Sequence, residues 1–493
     1  MFCRYDPECL TVCGERTMDV GEYIEFDATG LASLVETGKL TPKELARLAQ
    51  IATERFNPHL NAIIEFYDDA ENVPGAAAGP FHGVPFLRKD AGASESGRLQ
   101  ERGSRLFRGY RAESDSAFFH RARRSGLRTV GRTTLTEFGS SGMSESTLYG
   151  ITRNPWELSR SAGGSSSGSA AAVAAGITPI AHGSDGGGSL RVPASWCGVI
   201  GLNPSAVRIF DGRGCGSVTV GFSREFILCR SVRDMAAALD VFSDPLSTAP
   251  RSIVGPPNRS YLYELSQPSR HLRVGIARTK WGAVEVDPEI FATVETTGSM
   301  LEEMGHIIVD IDAPYDPELK TKISMGRAPQ ATRSLEDEAR ALARNIDGGT
   351  LEPMNLKKFE FGRGRPVDMQ TLGENIRKIR LQVSGAIDAF DILLTPTMPI
   401  FPPEHGSIYS TTNATLSYEE FAEADTALYQ YLGIFNVTGH PSVSLPLAQS
   451  SNGLPIGVQL VARIGDEATL VRIARDLEEA LPWRKRRPKW SSQ

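Results

Sequence analysis

Two serines in glycine-rich segments and one isolated lysine are the residues of this sequence best suited to nucleophilic catalysis. Ser189 lies within GSDGGGSLR at residues 183–191 and directly follows Gly186, Gly187 and Gly188. Glycines allow backbone N–H groups to turn inward, because no Cβ obstructs the required dihedral angles. The segment therefore predicts a serine nucleophile whose own amide and those of the glycine run form an oxyanion hole.

A serine nucleophile needs a base, and histidine is the usual one. None of the eight histidines lies in a hydrolase-like motif, and Ser189 is not part of a G-x-S-x-G turn. His182, near the end of a predicted strand, is interpreted as a packed residue or one at the edge of the pocket. A role as the base is its alternative. The histidines thus give no clear partner for Ser189.

Lysine usage gives a better candidate for the base. Lys89 is the only lysine between Lys43 and Lys280, and it follows an apolar strand predicted at residues 83–87. Burial there would lower the pKa of the amine toward that of a useful base. A salt bridge with Asp90 is the competing interpretation, and on the residues alone the two stand level.

Other uses of the glycine- and serine-rich segments fit poorly. Both segments are flanked by apolar, structured sequence, which argues against a linker. No G-x-x-x-x-G-K-[ST] loop is present, and the glycine spacing does not match a dinucleotide fingerprint. Cys3, Cys9 and Cys13 could be imagined around a metal, but no histidine lies near enough to complete four ligands. The sequence predicts neither a metal nor a cofactor.

The bulk properties describe an ordinary globular protein. The 493 residues are 40% hydrophobic and 23% charged, and the net charge of -6 gives no electrostatic case for nucleic acid. The basic cluster at residues 484–487 is interpreted as a solvated end. No apolar run reaches membrane-spanning length, and no secretion signal opens the chain, so we expect a cytoplasmic protein that does not bind membranes.

Helices and strands alternate along the chain, which predicts an α/β protein with a largely parallel sheet and helices on both faces. Strands are predicted at residues 61–66, 83–87, 127–130, 177–181, 272–277, 307–311, 392–395, 436–446 and 456–460. Helices are predicted from Asp27, after a capping box at Thr41, at 114–125, at 169–175 and at 467–480. Residues 1–24 are assigned to an extension and 25–485 to one catalytic domain, with substrate-facing loops at 205–260 and 315–375.

The chain closely resembles the amidase signature family. Three motifs carry the resemblance: GVPFLRKD at 83–90, AGGSSSGSAAAVAAG at 162–176, and GSDGGGSLRVPASWCGVIGL from 183. The two serines lie 24 residues apart, which is the family's spacing. Weaker matches extend over residues 25–480. The third motif looks most like the branch that holds 6-aminohexanoate-cyclic-dimer hydrolase and related bacterial amidases.

The resemblance implies an amidase signature fold and a Ser–cis-Ser–Lys triad. Ser189 would attack the carbonyl, Lys89 would be the base, and Ser165 would relay the proton after a cis peptide bond. The resemblance also implies that Ser166, Asp185 and Arg191 are structural residues that support the loops. A substrate pocket is implied for Gly139, Ser140 and Ser141. Arg88 and Ser167 depart from the family pattern, and the role of Arg88 stays open.

The function predicted from the resemblance is a serine amidohydrolase that cleaves small non-peptide linear amides, anilides or carbamates without a cofactor. We expect a monomer or homodimer whose partner is a small-molecule substrate. One alternative is the glutaminase-type subunit of a tRNA-dependent amidotransferase, although residues 90–94 do not look like that version. A non-catalytic scaffold of the same fold is the other alternative, although Lys89, Ser165 and Ser189 are all present.

Overall fold

The computed structural model describes residues 18–206, 208–209, 222–243 and 257–488. Cys3, Cys9 and Cys13 lie outside these residues. The helices are α1 Val20–Tyr23, α2 Ala28–Glu36, α3 Pro42–Leu60, α4 Ala117–Arg124, α5 Ser167–Ala175, α6 Arg191–Cys197, α7 Val232–Phe242, α8 Tyr261–Glu264, α9 Pro288–Glu303, α10 Pro317–Gly326, α11 Ala328–Ala341, α12 Pro353–Gly362, α13 Met369–Ile387, α14 Tyr418–Leu428, α15 Gly433–Thr438 and α16 Glu467–Ala480.

The strands are β1 Ile63–Phe66, β2 Pro85–Lys89, β3 Arg128–Thr133, β4 Glu145–Ser146, β5 Gly150–Ile151, β6 Ile180–Asp185, β7 Ile200–Asn203, β8 Arg224–Cys229, β9 Arg273–Ile276, β10 Ile307–Asp310, β11 Ile392–Pro396, β12 Ser442–Gln449 and β13 Pro455–Ala462. Eleven of them form one sheet in the order β1-β3-β2-β6-β8-β7-β12-β13-β11-β9-β10, and β4 pairs with β5.

The sheet confirms the α/β class but contains less parallel pairing than predicted. β3, β2 and β6 are parallel neighbours, as are β11, β9 and β10. The six other neighbouring pairs of this sheet are antiparallel. In the centre, β12 and β13 form a hairpin, and a short connection of this kind requires antiparallel strands. The direction of a strand depends on its connections, and the apolar pattern of a strand does not predict them.

Helices cover both faces of the sheet. Phe86 of β2 and His182 of β6 pack against the aromatic rings of α4 on one face. On the other face, α5 packs against the same strands, and all nine of its side chains are buried. A Cβ on Gly168 would lie 2.2 Å from the carbonyl oxygen of Ala62, so the glycine permits the close approach of α5. The small side chains of α5 thus bring its N-terminal serines to the strand ends.

Most predicted elements are present, and two are displaced. The Thr41 capping box starts α3, and α16 covers the predicted 467–480. The strand predicted at 177–181 forms at Ile180–Asp185. The strand predicted at 436–446 is wrong at its start, because residues 433–438 form α15 and Gly439, with φ of 89°, ends that helix. A short apolar run of this kind fits a helix or a strand, and tertiary packing decides between them.

The basic C-terminal cluster is not simply a solvated end. Arg484 and Lys485 are exposed, as predicted. Arg486, however, donates hydrogen bonds to the carbonyls of Pro446 and Leu447, and Arg487 donates to that of Ile24 at 3.0 Å. Long basic side chains can lie along a protein surface while their head groups bind carbonyl oxygens. The prediction failed because charge alone does not show which carbonyls a folded surface offers.

Candidate active site

A cleft of about 760 Å³ lies at the carboxyl ends of β2 and β6. Helices α10, α11, α12 and α14 border it on another side. Its lining includes Lys89, Ser165, Ser189, Gly139, Ser140, Ser141 and the glycines 186–188. Residues from Lys89 to Val437, which are far apart in the sequence, therefore meet in one cavity.

Lys89 ends β2 and is fully buried among serines. Its Nζ lies 2.8 Å from Ser165 Oγ, 3.0 Å from Ser166 Oγ and 2.9 Å from Ser184 Oγ. Burial lowers the pKa of Lys89 to about 8, although the charges of Glu225 and Asp185 act in the opposite direction. A lysine with this pKa is partly neutral at physiological pH, as a general base requires.

The two candidate catalytic serines lie on neighbouring segments. Ser165 directly precedes the N-terminal end of α5 and follows a cis peptide bond with Gly164. The backbone N–H of Ser166 donates to the carbonyl of Ser189 at 3.3 Å, which holds the segments side by side. Ser189 is partly exposed to the cleft. In the described part of the chain, no hydrogen bond joins the hydroxyls of Ser165 and Ser189.

A buried ion pair between Asp185 and Arg191 holds the glycine run in place. Arg191 forms two parallel hydrogen bonds with the carboxylate of Asp185, at 2.9 and 3.0 Å, and both side chains are fully buried. Asn436 of α15 also donates to Asp185 at 2.9 Å. Burial opposes ionisation of Asp185, but the charge of Arg191 and the hydrogen bonds from Arg191, Asn436 and the Leu190 N–H together outweigh it and lower the pKa of Asp185 to about 2. Asp185 is therefore a permanently charged anchor below the loop.

One of the four predicted oxyanion-hole amides is already used. The N–H of Gly188 donates to Asp185 Oδ1 at 2.6 Å, so its predicted role is corrected. Gly186 is exposed, while Gly187 and Ser189 are partly exposed. Helix α6 begins at Arg191, and residues 186–190 form a loop whose Gly188 and Leu190 N–H groups donate to Asp185.

The segment at residues 139–141 lines the cleft, but its two hydroxyls are engaged in the protein. Ser140 Oγ donates to Asn355 of α12 at 2.8 Å. Ser141 Oγ donates to the carbonyl of Tyr409 at 2.7 Å. Gly139 has a φ of 68°, which a residue with a side chain rarely adopts. The structure therefore places this segment at the site and anchors it to α12 and to the loop that contains Tyr409.

The alternatives for Lys89 and His182 are settled by their neighbours. Asp90 does not pair with Lys89: it accepts from Arg132 at 2.9 Å and from Tyr149 at 2.8 Å. His182 is fully buried beside Phe118 and lies 2.9 Å from Glu225. Burial lowers the pKa of His182. The interpretation of His182 as a packed residue is confirmed.

Arg88 turns away from the candidate catalytic serines. Its guanidinium is fully buried, donates to the carbonyl of Leu99 and lies 3.8 Å from the carboxylate of Glu95. Neighbouring side chains of a strand point to opposite faces, so Arg88 and Lys89 diverge. The charge of Arg88 is matched inside the protein, on the side away from Lys89.

Sequence reasoning missed several residues of the site. Ser184, one of the three hydroxyls at Lys89, lies in β6 within the motif that contains Ser189. The strand predicted at 177–181 ends before Ser184, and no sequence signal indicated its contact with Lys89. Lys320, Arg327 and Lys358 line the cleft from residues predicted as loops, which are in fact α10, α11 and α12 and their junctions. Phe222 and Ser223 are the lining residues from 205–260; residues 207, 210–221 and 244–256 of that segment are outside the described part.

None of the helices in the described residues is both long and apolar enough to cross a membrane. Within those residues, His, Cys, Asp and Glu form no group of three or more that could hold a metal ion.

The fold and the cleft define an α/β protein with a buried lysine and a cluster of serines, a set of groups suited to hydrolysis. The chain belongs to the amidase signature family, because the family model described as Amidase matches residues 44–471. The 6-aminohexanoate-cyclic-dimer hydrolase of Paenarthrobacter ureafaciens is 34% identical over 481 residues, which cover 94% of this chain and 96% of the relative.

Solved structures give the same assignment. A 6-aminohexanoate cyclic dimer hydrolase complexed with substrate superimposes with a TM-score of 0.87 at 33% identity, covering 95% of this chain and 100% of the other. A bacterial aryl acylamidase of the amidase signature family superimposes with a TM-score of 0.78 at 25% identity, covering 93% and 96%. The protein is therefore an amidase of this family, and the predicted fold and family are confirmed.

Proposed function

We propose that the protein is a serine amidohydrolase that cleaves the C–N bond of small non-peptide amides, anilides or carbamates through an acyl-enzyme. The observation that carries the proposal is the 2.8 Å contact between Lys89 Nζ and Ser165 Oγ, inside the cavity that Ser189 also lines. The names of the relatives support the substrate class, since one is a 6-aminohexanoate-cyclic-dimer hydrolase and another an aryl acylamidase.

In the first half of the proposed reaction, Ser189 Oγ bonds to the substrate carbonyl carbon. Its proton passes to Ser165, whose own proton passes to neutral Lys89. This transfer requires the Ser189 hydroxyl to turn toward Ser165. The negative charge moves to the carbonyl oxygen. The candidate donors there are the amides of Gly186, Gly187 and Ser189, which make no hydrogen bond within the described residues, and each such donor is worth about 3 kcal/mol in such sites.

The intermediate then loses its amine and is hydrolysed. The C–N bond breaks, and the nitrogen takes the proton that Lys89 returns through Ser165. Water next attacks the acyl ester, with the same groups accepting its proton and giving one back to Ser189. An amide substrate yields a carboxylic acid and an amine. A carbamate yields an amine and an alcohol or phenol, with carbon dioxide from the remaining carbonyl.

The test uses the purified chain alone with an acyl-p-nitroanilide and an aryl carbamate. We expect hydrolysis of at least one, its loss in Ser189→Ala and Ser165→Ala, and normal rates in Ser159→Ala, which removes an exposed hydroxyl. Mass spectrometry of the quenched enzyme should show the acyl group on Ser189. Glutamine hydrolysis that appears only with a co-purifying partner would replace the proposal by the amidotransferase alternative. A folded but inactive chain would favour the scaffold.

A further inference from the structure

Three basic side chains line the helical side of the cleft. Lys320 lies on α10, Arg327 at the junction of α10 and α11, and Lys358 on α12; we call these three residues the basic wall. They lie in the cavity that also contains Lys89 and Ser189. The proposed chemistry uses none of them, so their charges need another explanation.

Two of the three side chains have no polar partner among the residues that the structure describes. In the described residues, the side chains of Arg327 and Lys358 make neither a hydrogen bond nor an ion pair within 4.0 Å. Arg327 lies over the ring of Phe222 at 4.6 Å, which orients the guanidinium without using its N–H groups. Their donors remain available to a molecule in the cleft.

Lys320 is held in place by the end of α14. Its Nζ donates to the carbonyls of Thr426 at 3.1 Å and Tyr429 at 2.7 Å. These carbonyls belong to the last turn of the helix, where a cation interacts favourably with the helix dipole. In its protonated form Lys320 thereby uses two of its three N–H groups, and these contacts fix the position of its Nζ beside the cleft.

The carboxylates of the cleft do not balance the basic wall. Glu338 is paired with Arg102 at 2.8 Å. Asp425 of α14 is the other one, and its Oδ1 is buried without a partner in the described residues. Burial raises the pKa of Asp425 to about 7 and lowers the pKa of Lys320 to about 7. These shifts are those of buried charges that lack full compensation.

We propose that the basic wall binds a carboxylate of the substrate, so that the preferred amide or carbamate carries a negative charge away from the bond that is cleaved. Arg327 can hold both oxygens of a carboxylate through its planar fork, and Lys358 adds a second charged donor. A protonated Asp425 can donate to the same group. The expected preference in hydrolysis rests on the proposed function, whereas the expected binding of a carboxylate does not.

The test compares isosteric substrates that differ only in charge. One pair is glutaryl-p-nitroanilide and 4-carbamoylbutanoyl-p-nitroanilide, with the charge in the acyl part. The other is 4-acetamidobenzoate and 4-acetamidobenzamide, with the charge in the leaving amine. For at least one pair we expect kcat/KM to be about tenfold or more higher for the carboxylate, as charged hydrogen bonds of this kind contribute.

Variants connect this preference to the basic wall. In Arg327→Met and Lys358→Met we expect the ratio of carboxylate to carboxamide rates to fall, and in the double variant to approach one. Lys322→Met is the matched control on α10: its side chain is 64% exposed and pairs with Glu318 at the surface, so the ratio should not change. A ratio of one or less for both pairs in the wild type would overturn the proposal.

Binding separates a failure of this inference from a failure of the proposed function. Calorimetric titration of the four compounds into the Ser189→Ala protein needs no turnover. Tighter binding of the carboxylates without hydrolysis by the wild type would keep the basic wall and reject the reaction. Hydrolysis by the wild type with equal binding of both members of each pair would keep the proposed reaction and reject the role of the basic wall.

Discussion

Three consecutive charged residues show how much the fold decides at the scale of single residues. Arg88, Lys89 and Asp90 are all buried, yet each meets different partners. Arg88 faces Leu99 and Glu95, Lys89 meets three serine hydroxyls, and Asp90 binds Arg132 and Tyr149. Because Asp90 is engaged elsewhere, no carboxylate of the described residues pairs with Lys89, and burial lowers the pKa of its amine to about 8. The fold therefore makes Lys89 suitable as a base by directing the neighbouring Asp90 carboxylate to other partners.

The lowered pKa of Lys89 predicts how activity depends on pH. Since the neutral amine is the active form, kcat/KM should rise about tenfold per pH unit below pH 8 and level off above it. Glu225→Gln removes a charge that raises this pKa, so the midpoint should move to lower pH. The measurement is kcat/KM for an acyl-p-nitroanilide between pH 6 and 10.

The pH profile has a control and a clear contrary result. Lys89→Met should lose activity by a factor of about 10²–10⁴, the usual contribution of a positioned base. Lys43→Met, which neutralises an exposed lysine on α3, should keep the wild-type profile. Two results would be incompatible with Lys89 as the base. One is a wild-type kcat/KM that does not change with pH although the chemical step limits the rate. The other is a midpoint of the pH profile that moves to higher pH in Glu225→Gln.

At this scale the sequence predicted the groups better than their hydrogen bonds. The isolation of Lys89 and the spacing of Ser165 and Ser189 are visible in the letters. The contact of Ser184 with Lys89 is not, because it depends on β6 lying beside β2 in the sheet. The hydrogen bond from the Gly188 N–H to Asp185 depends on the turn that follows β6, and the residue types alone do not predict that bond.

At the scale of elements, the glycine loop is shaped by the helices that surround it. Gly188 has a φ of 137°, and a Cβ there would lie 2.8 Å from Leu432 Cδ1 and 3.3 Å from Val192 Cγ2. Gly187, its neighbour, has open space around the same position. The two glycines therefore serve different purposes: Gly188 fits the loop between packed elements, and Gly187 keeps the cleft open.

This difference predicts unequal effects of alanine on stability. Gly188→Ala should lower the free energy of unfolding by about 1–3 kcal/mol, since a strained backbone and a close contact with Leu432 are both introduced. Gly187→Ala should change it by less than about 0.5 kcal/mol, as for a substitution without such features. Urea unfolding at one pH measures both. Equal losses would show that the loop is not confined at Gly188.

The elements themselves were predictable where capping and periodicity agree. The capping box at Thr41 predicted the start of α3, and the pattern at 467–480 predicted α16, whose start the structure shows to be capped by Asp466. Residues 436–438 carry no such signal. They become helical in α15, where Asn436 lies close enough to bind Asp185, and only the assembled site shows this contact.

At the scale of the whole molecule, the two ends of the described chain meet on one surface. Arg230, at the start of α7, donates to the carbonyl of Ile24 and accepts at its own carbonyl from Trp483 Nε1 at 3.1 Å. Arg487 donates to the same carbonyl of Ile24. The side chain of Trp483 is 2% exposed and belongs to the main hydrophobic core. The C-terminal segment is therefore a part of the fold, although it does not line the cleft.

This arrangement predicts that the C-terminal segment contributes to global stability and not to catalysis. Trp483→Ala should lower the free energy of unfolding by about 3–5 kcal/mol, because it removes a buried aromatic ring and leaves a cavity. Arg484→Ala and Lys485→Ala, which shorten exposed neighbours, should change it by less than about 0.5 kcal/mol. Urea unfolding of the three variants gives the comparison, and kcat/KM per folded molecule should stay close to the wild-type value in each. If Trp483→Ala were as stable as the two surface variants, the segment would behave as the solvated end that its charges suggest, and its contacts with Ile24 and Arg230 would not stabilise the protein.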